Sequence, residues 1–128
     1  MAEETYPEDL RYHPEHDWAR LEGDTATFGV TWYAQDALGE VVFYEPPEAN
    51  KQVTKDDAYA EVESVKAVSD VVAPLSGEIV EVNELLGDAP EKINEDPYGD
   101  GWLVRVRLSD ANEVEDLLDR ETYEGSLT

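Results

Sequence analysis

The stretch from residue 60 to residue 73, AEVESVKAVSDVVA, reads almost the same in both directions. Around the bond between Lys66 and Ala67, valine mirrors valine, serine mirrors serine and acid mirrors acid. Residues that face each other across a two-stranded antiparallel ladder can show this relationship. We therefore predict a β-hairpin with Lys66 exposed at its tip. The predicted cross-strand pairs are Val65–Val68, Ser64–Ser69, Glu63–Asp70, Val62–Val71 and Ala60–Ala73.

The rest of the chain predicts short strands with little helix. Residues 31–39 predict a short helix, and residues 110–119 predict a C-terminal helix with Asp110 and Glu113 as a capping box. Short strands at close spacing are typical of an antiparallel sandwich or barrel, so the expected fold is mostly β. The strand predictions are 18–30, as a hairpin, followed by 40–45, 78–83 and 102–108.

The length of 128 residues predicts a single domain, 1–128, with residues 1–9 flexible. The acidic N-terminus has no apolar segment of the kind found in signal peptides. The longest aliphatic run, VVAPL, is far shorter than a membrane helix. Because the chain contains no cysteine, it uses no disulfide, which suits a reducing cytoplasm, the location that we expect. We also expect a monomer.

The chain is strongly acidic, with a formal net charge of −23 from 32 Asp and Glu against nine Lys and Arg. Nucleic acids and anionic membranes are bound mainly through Lys and Arg, so we expect neither as a partner. The acids are scattered along the chain, which favours a solvated acidic surface suited to a salty cytoplasm. Steering toward basic patches on partner proteins is compatible with the same charge.

Lys66 is one of only four lysines. Three roles can be considered for an exposed lysine at a hairpin tip. It can simply keep the edge of a sheet soluble. A catalytic lysine needs a lowered pKa, which the nearby acids Glu63 and Asp70 oppose. The remaining role is that of an acceptor, which a separate enzyme acylates.

The residues around Lys66 resemble the glycine cleavage system H protein family. The resemblance implies a flattened β-sandwich of the lipoyl/biotinyl type, also called a hybrid barrel, with short helices and a C-terminal helix. It also implies lipoic acid joined to Lys66 by an amide bond. The matching segments are ESVKAVSD, APLSGEIVEVN, EHDW, AQDALGEVVFYEPPE, PEKINEDPYGDGWL and LLDRETYE, which cover nearly the whole chain from about Leu10 onward.

The resemblance implies a carrier that is not itself an enzyme. In this family the lipoyl arm takes an aminomethyl group from a pyridoxal-phosphate glycine decarboxylase, the P protein. A tetrahydrofolate-dependent aminomethyltransferase, the T protein, then receives the group, and dihydrolipoamide dehydrogenase, the L protein, reoxidises the arm. Lipoate attachment enzymes are the remaining partners that the resemblance implies.

The resemblance also implies functions for individual residues of this chain that match functional positions of the family. Lys66 matches the lipoylated lysine, and Glu63 matches the acid that the attachment enzymes recognise. Asp17 and Asp70 match acids that line the cleft where the loaded arm docks. The family usually has Glu where Asp17 stands, which shortens that side chain, and Gly where Asn50 stands; Asn tolerates the left-handed backbone conformation. Pro46 replaces a common Leu without a functional meaning that we can identify.

Other carriers and a binding module remain alternatives. A sibling lipoyl carrier could serve another oxidation, for example in sulfur metabolism. Biotin carriers typically have methionines where Val65 and Ala67 stand, and lipoyl domains of 2-oxo acid dehydrogenases usually have Asp before the lysine. An unmodified acidic interaction domain is the alternative from another class.

No metal site is expected. The His13–Asp17 segment holds two imidazoles and two carboxylates, but there is no other His or Cys to complete a shell. The acids between Asn94 and Gly101 lack the spacing of a calcium loop.

Overall fold

The structure is a computed structural model that describes residues 3–127. Within residues 3–127, nine antiparallel strands form two sheets, which confirms the predicted mostly β sandwich. The larger sheet has the strand order β1-β2-β3-β9-β8-β5, and the smaller sheet has the order β4-β6-β7. The strands are β1 Arg11–His13, β2 Asp17–Glu22, β3 Thr25–Val30, β4 Val41–Glu45, β5 Gln52–Val53, β6 Ala58–Ser64, β7 Val68–Val72, β8 Gly77–Val82 and β9 Val104–Leu108.

In the described part of the chain, four short α-helices and one 3-10 helix connect or flank the strands. The first of them confirms the helix predicted for residues 31–39, since Thr31 accepts a hydrogen bond from the Ala34 amide and Gly39 ends the helix. The helices are α1 Trp32–Leu38, α2 Leu85–Asp88, α3 Lys92–Glu95, the 3-10 helix Ala111–Asp116 and α4 Arg120–Ser126. No helix between residues 3 and 127 is long and apolar enough to cross a bilayer.

The core lies between the two sheets. It is built from the residues of each strand that point inward, which alternate along the strand with residues that point outward. Burying an aliphatic or aromatic side chain stabilises the fold by roughly 1.5–3 kcal/mol, so the sandwich rests mainly on these contacts. The fully or almost fully buried members include Phe28, Tyr44, Val62, Val71, Ile79 and Val106.

A second, aromatic cluster anchors both ends of the chain. Tyr12 stacks on Tyr123 with ring centroids 4.7 Å apart, and Tyr6 packs edge-on against both rings. Tyr6 is only 5% exposed and Leu10 only 1%, so both side chains pack into the fold, while the flexibility expected for residues 1–9 stays a prediction. Met1 and Ala2, included in that expectation, lie outside the described residues.

The helix predicted over residues 110–119 is confirmed only in part. Asp110 caps a helix by accepting from the Asn112 amide, but that helix is of the 3-10 type, spans Ala111–Asp116 and ends before Leu117. The Glu113 carboxylate does not complete a capping box but accepts bonds from the Ser76 amide, at 2.7 Å, and hydroxyl, at 2.9 Å. Leu118 then pairs with Tyr12 of β1 through two backbone hydrogen bonds, which requires an extended chain there. A capped C-terminal helix does exist, but it is α4, where Asp119 accepts from the Thr122 amide.

Candidate functional site

The predicted hairpin exists, and Lys66 lies at its tip, but the predicted register is wrong by two residues. Glu63 faces Val68 rather than Asp70, and Glu61 faces Asp70. A two-residue Lys-Ala turn favours positive φ angles, which neither residue adopts. The chain instead connects β6 and β7 through the three residues Val65–Ala67.

The hydroxyl of Ser64 stabilises this wider turn. Ser64 Oγ accepts from the backbone amides of Lys66, at 3.3 Å, and Ala67, at 3.1 Å, and donates to the Ala67 carbonyl. Its own amide also donates to the Ala67 carbonyl, at 2.8 Å. Serine side chains replace backbone acceptors in turns in this way. The tip is therefore exposed at Lys66 but held by a buried residue at its base.

The lysine side chain extends over Gly39, at the end of α1. A Cβ atom at position 39 would lie 3.2 Å from Lys66 Cε and 3.8 Å from Nζ. Gly39 has φ 82° and ψ −158°, a region that is essentially restricted to glycine. The next residue fixes the turn, because the Glu40 carbonyl accepts from the Val65 amide at 3.0 Å.

Two buried amide side chains fix this segment from behind. Asn94 of α3 donates to Gln35 Oε1 and to the Gly39 carbonyl, and its own oxygen accepts from the Val41 amide at 2.8 Å. Gln35 is fully buried and donates to the Trp32 carbonyl. All polar atoms of the Asn94 side chain are thus satisfied, as a buried amide requires. Neither residue was identified from the sequence; a glutamine within the apolar spacing of α1 was the available signal.

A cleft of about 420 Å³ adjoins the hairpin. One wall is β7, the edge strand of the small sheet, and the other walls are α1 and the turn before β2. The lining is mostly apolar, with Tyr33, Leu38 and Val71, but Asp17 and Asp70 also line it. The two acids inferred for the docking cleft therefore border the same cavity, as does Ala67, next to Lys66.

Asp17 is the unusual group in this cleft. It is only 3% exposed, and its Oδ2 atom has no hydrogen-bond partner among the described residues. Burial raises the pKa of the Asp17 carboxyl well above its ordinary value, and the nearby Glu15 carboxylate raises it further. The cleft therefore contains a buried carboxyl group whose charged form is disfavoured by its surroundings and whose Oδ2 atom has no partner among the described residues.

The two histidines have structural contacts. His13 bonds within the turn before β2, and His16 lies beside the aromatic cluster. His13 Nδ1 accepts from the Glu15 amide, and its Nε2 lies 2.6 Å from Asp56 Oδ1. His16 Nδ1 lies 2.8 Å from the Tyr123 hydroxyl. Within residues 3–127, no group of three or more His, Cys, Asp or Glu side chains is placed to hold a metal ion.

A larger and more open depression, of about 720 Å³, lies on the other side of Asp70. Its walls come from the β4–β5 connection and from β6, and they are mostly polar. Neither Lys66 nor Asp17 lines it. The smaller cleft is the candidate site because it alone combines the lysine turn with the unpartnered carboxyl.

The glycine cleavage H-protein family model matches residues 10–128. This chain belongs to the glycine cleavage H-protein family. Among curated H proteins, that of Rubrobacter xylanophilus is 56% identical over 123 residues, covering 96% of this chain and 94% of that protein. A probable glycine cleavage system H protein of Haloarcula marismortui is 50% identical over 117 residues, covering 91% and 92% of the two chains.

The fold of the H-protein family is also matched. The crystal structure of a glycine cleavage system H protein from Mycobacterium marinum superposes with a TM-score of 0.88 at 40% identity. The match covers 95% of this chain and 98% of that one. H proteins are lipoate-bearing carrier components of the glycine cleavage system. The resemblance inferred from the residues around Lys66 is thereby confirmed at the level of family and fold.

Proposed function

We propose that this chain is the lipoylated carrier that moves the aminomethyl group of glycine from the decarboxylase to the tetrahydrofolate-dependent aminomethyltransferase. The observation that carries the proposal is the exposed Lys66 on a serine-stabilised turn beside a cleft with an unpartnered carboxyl. Membership in the H-protein family supports it.

Lys66 is proposed as the attachment point because its side chain is accessible to another protein and its amine is not paired with a neighbouring group. Within the described chain its amine has no hydrogen bond or ion pair, and its side chain is exposed. A lysine that acts as a nucleophile on its own needs burial or a neighbouring cation, and Lys66 has neither. Modification by a separate enzyme, which recognises Glu63 three residues before it, fits this geometry.

The cleft fits a lipoyl arm in size and in chemistry. Ala67 brings the cavity to the residue after the lysine, and Leu38 and Val71 supply apolar walls for an alkyl chain. When attached, the lipoyl group supplies a disulfide and thiol pair that accepts and carries the aminomethyl group, chemistry that this cysteine-free chain cannot supply itself. Asp17 and Asp70 are the residues proposed to receive the polar end.

Asp17 has a specific part in this proposal. Its buried carboxyl has no partner among the described residues, so it can accept a hydrogen bond from an amine that enters the cleft, and a cationic amine there would offset the burial that raises its pKa. An ion pair formed there is shielded from water, which strengthens it relative to the surface. The Asp17 side chain is one methylene shorter than that of the Glu that the family usually has, which changes the distance over which the carboxyl can reach the arm.

The proposed partners are the glycine decarboxylase, the aminomethyltransferase, dihydrolipoamide dehydrogenase and the lipoate attachment enzymes. Tethering keeps a carried group at an effective concentration on the order of millimolar, so that it transfers between enzymes instead of diffusing away. The lysine, Glu63 and the cleft all come from one chain, so we propose that a monomer suffices. The absence of cysteine is compatible with the proposed cytoplasmic location.

Reconstitution with purified glycine decarboxylase tests the function. The lipoylated chain should support glycine-dependent release of carbon dioxide, and Lys66→Arg should abolish it because arginine cannot form the amide. Lys51→Arg, at another exposed lysine, is the matched control and should behave as the unaltered chain. Failure of the lipoylated chain to support the decarboxylase, while still being modified, would favour the sibling carrier over the glycine cleavage role.

A further inference from the structure

The outer face of the small sheet presents a glutamate between two apolar side chains. Cross-strand partners point to the same face of a sheet. Phe43 of β4 pairs with Glu63 of β6, and Glu63 pairs with Val68 of β7. The three side chains therefore form one row across the sheet, with the acid in the centre. Phe43 is 52% exposed and Val68 60% exposed, and Glu63 is also exposed.

Exposed apolar side chains are concentrated at this end of the hairpin. Seven large hydrophobic residues are exposed among residues 3–127, and four of them, Val42, Phe43, Val65 and Val68, lie around the lysine turn. Scattered apolar residues on a surface need no explanation, but a cluster indicates an interaction site. Of the other three, Tyr33 lines the cleft, whereas Val80 of β8 and Leu85 of α2 lie outside the cleft, and Val80 provides the control.

Glu63 has no cationic partner of its own. Among the described residues it forms no ion pair or side-chain hydrogen bond, and its ladder neighbours are apolar. Its carboxylate is thus fully available to a cation from another molecule. The two flanking side chains would exclude water from such a contact once a partner covers them.

We propose that Phe43 and Val68 form an apolar frame around Glu63, and that this frame docks on the enzyme that attaches the lipoyl group to Lys66. The proposal rests on the proposed carrier function. The partner supplies a lysine or arginine side chain for Glu63 and an apolar rim for the frame. Binding hot spots have this arrangement, in which surrounding contacts keep water away from a central polar pair. A pair shielded in this way is stronger than one in solvent.

The geometry selects the attachment enzyme over the enzymes that use the finished arm. An attachment enzyme must bring its reaction centre to the lysine amine itself. The frame, which begins two residues from Lys66 at Val68, must then be within the contact area. An enzyme that acts on the far end of a flexible arm does not need to cover this face.

The test measures kcat/KM of a purified attachment enzyme, with lipoate and ATP, on the full-length unmodified chain. Phe43→Thr and Val68→Thr remove the frame while keeping residues that favour strands. We expect a loss of about tenfold for Phe43→Thr and about threefold for Val68→Thr. Val80→Thr, at a valine 42% exposed on β8, is the matched control and should stay within about twofold.

A double-mutant cycle then tests the shielding itself. Glu63→Gln should lower kcat/KM strongly in the unaltered chain, and its effect should be at least about fivefold smaller when Phe43→Thr is present. Independent effects of the two substitutions would overturn the frame while leaving the carrier function intact. An effect of Val80→Thr equal to that of Val68→Thr would also overturn it.

The cycle distinguishes failure of the frame from failure of the function. If Glu63→Gln has no effect on an efficient modification of Lys66, both the frame and the recognition role of Glu63 are wrong. If Lys66 is not modified at all, the carrier function is wrong as well. Thermal unfolding of each variant checks that the exposed substitutions leave the fold intact.

Discussion

Gly39 occupies a backbone conformation that side chains do not adopt, and the acceptor lysine lies over it. Both facts exclude a larger residue: the φ of 82° with ψ of −158° is a glycine region, and a Cβ would press on Lys66 Cε at 3.2 Å. The position therefore matters to the fold and to the direction of the lysine side chain.

Gly39→Ala should lower the free energy of unfolding by about 1–3 kcal/mol, the usual cost of a strained backbone conformation. The control is Gly23→Ala, where φ is also positive, at 64°, but no atom lies within 4 Å of the added methyl group. Urea unfolding of both variants checks the prediction. If Gly39→Ala were no more destabilised than Gly23→Ala, the ψ angle and the lysine contact would carry no energetic weight.

Asp17 should make the stability of the protein depend on pH. Burial holds its pKa in the folded protein above that of the unfolded chain, so folding takes up a proton between the two values. Its contribution to stability is fully present below the unfolded pKa and is lost as the pH rises through the folded pKa. We expect Asp17→Asn to abolish the decrease in stability that Asp17 causes as the pH rises, because asparagine does not ionise.

The measurement is urea unfolding of both proteins across the range from acid to mildly alkaline pH. The stability of Asp17→Asn relative to the unaltered chain should increase as the pH rises above the ordinary range for aspartate. A difference that stays constant with pH would mean that Asp17 titrates normally in the folded protein.

At the scale of elements, the lysine hairpin shows what the sequence can and cannot predict. The near-symmetry of residues 60–73 correctly located two paired strands and an exposed lysine between them. It could not set the register, because the Ser64 hydroxyl bonds two turn amides and so makes a three-residue connection more favourable. Side-chain bonds of this kind depend on atomic placement that periodicity does not contain.

Ser64→Ala should destabilise the turn. Two amides at the tip lose their shared acceptor, so we expect a loss of about 1–2 kcal/mol and faster hydrogen exchange at the Lys66 and Ala67 amides. Ser69→Ala is the matched control in the same hairpin, since its hydroxyl makes only an exposed contact with the adjacent Asp70 carbonyl. Equal exchange rates in the two variants would contradict the assigned role of Ser64.

The terminal elements show a second limit of sequence reasoning. The pattern of residues 110–119 predicted a helix through Leu118, but Leu118 instead pairs with Tyr12 of β1 through backbone hydrogen bonds. Likewise, the acidic N-terminal segment gave no sign that Tyr6 completes an aromatic cluster with Tyr12 and Tyr123. Both outcomes depend on contacts between residues about a hundred positions apart, which local patterns cannot show.

For the molecule as a whole, the net negative charge is large, and some of the acidic side chains lie in a row on one sheet. Across the small sheet, Glu45 pairs with Glu61, and Glu61 pairs with Asp70, so three acids form one row next to the frame. Like charges facing each other across a ladder are destabilising. With a net charge of −23, the folded chain therefore carries considerable self-repulsion, and it also attracts basic surfaces.

Salt should therefore act in opposite directions on stability and on association. Raising ionic strength from about 0.01 M to about 1 M shortens the Debye length from about 30 Å to about 3 Å. The melting temperature should rise as self-repulsion is screened, and the association rate with partner enzymes should fall at least about tenfold. Calorimetry and stopped-flow binding measure the two effects. A flat or rising association rate would mean that the acidic surface does not steer partners.

The carrier function that we propose depends on Lys66 as the residue that bears the lipoyl arm. Intact-mass analysis of the protein from its native source, followed by mapping of its peptides, tests this most directly. We expect one added lipoyl group, on the peptide that contains Lys66, and none on Lys66→Arg expressed in the same cells. An unmodified chain from cells replete with lipoate, or the group on another lysine, would contradict it.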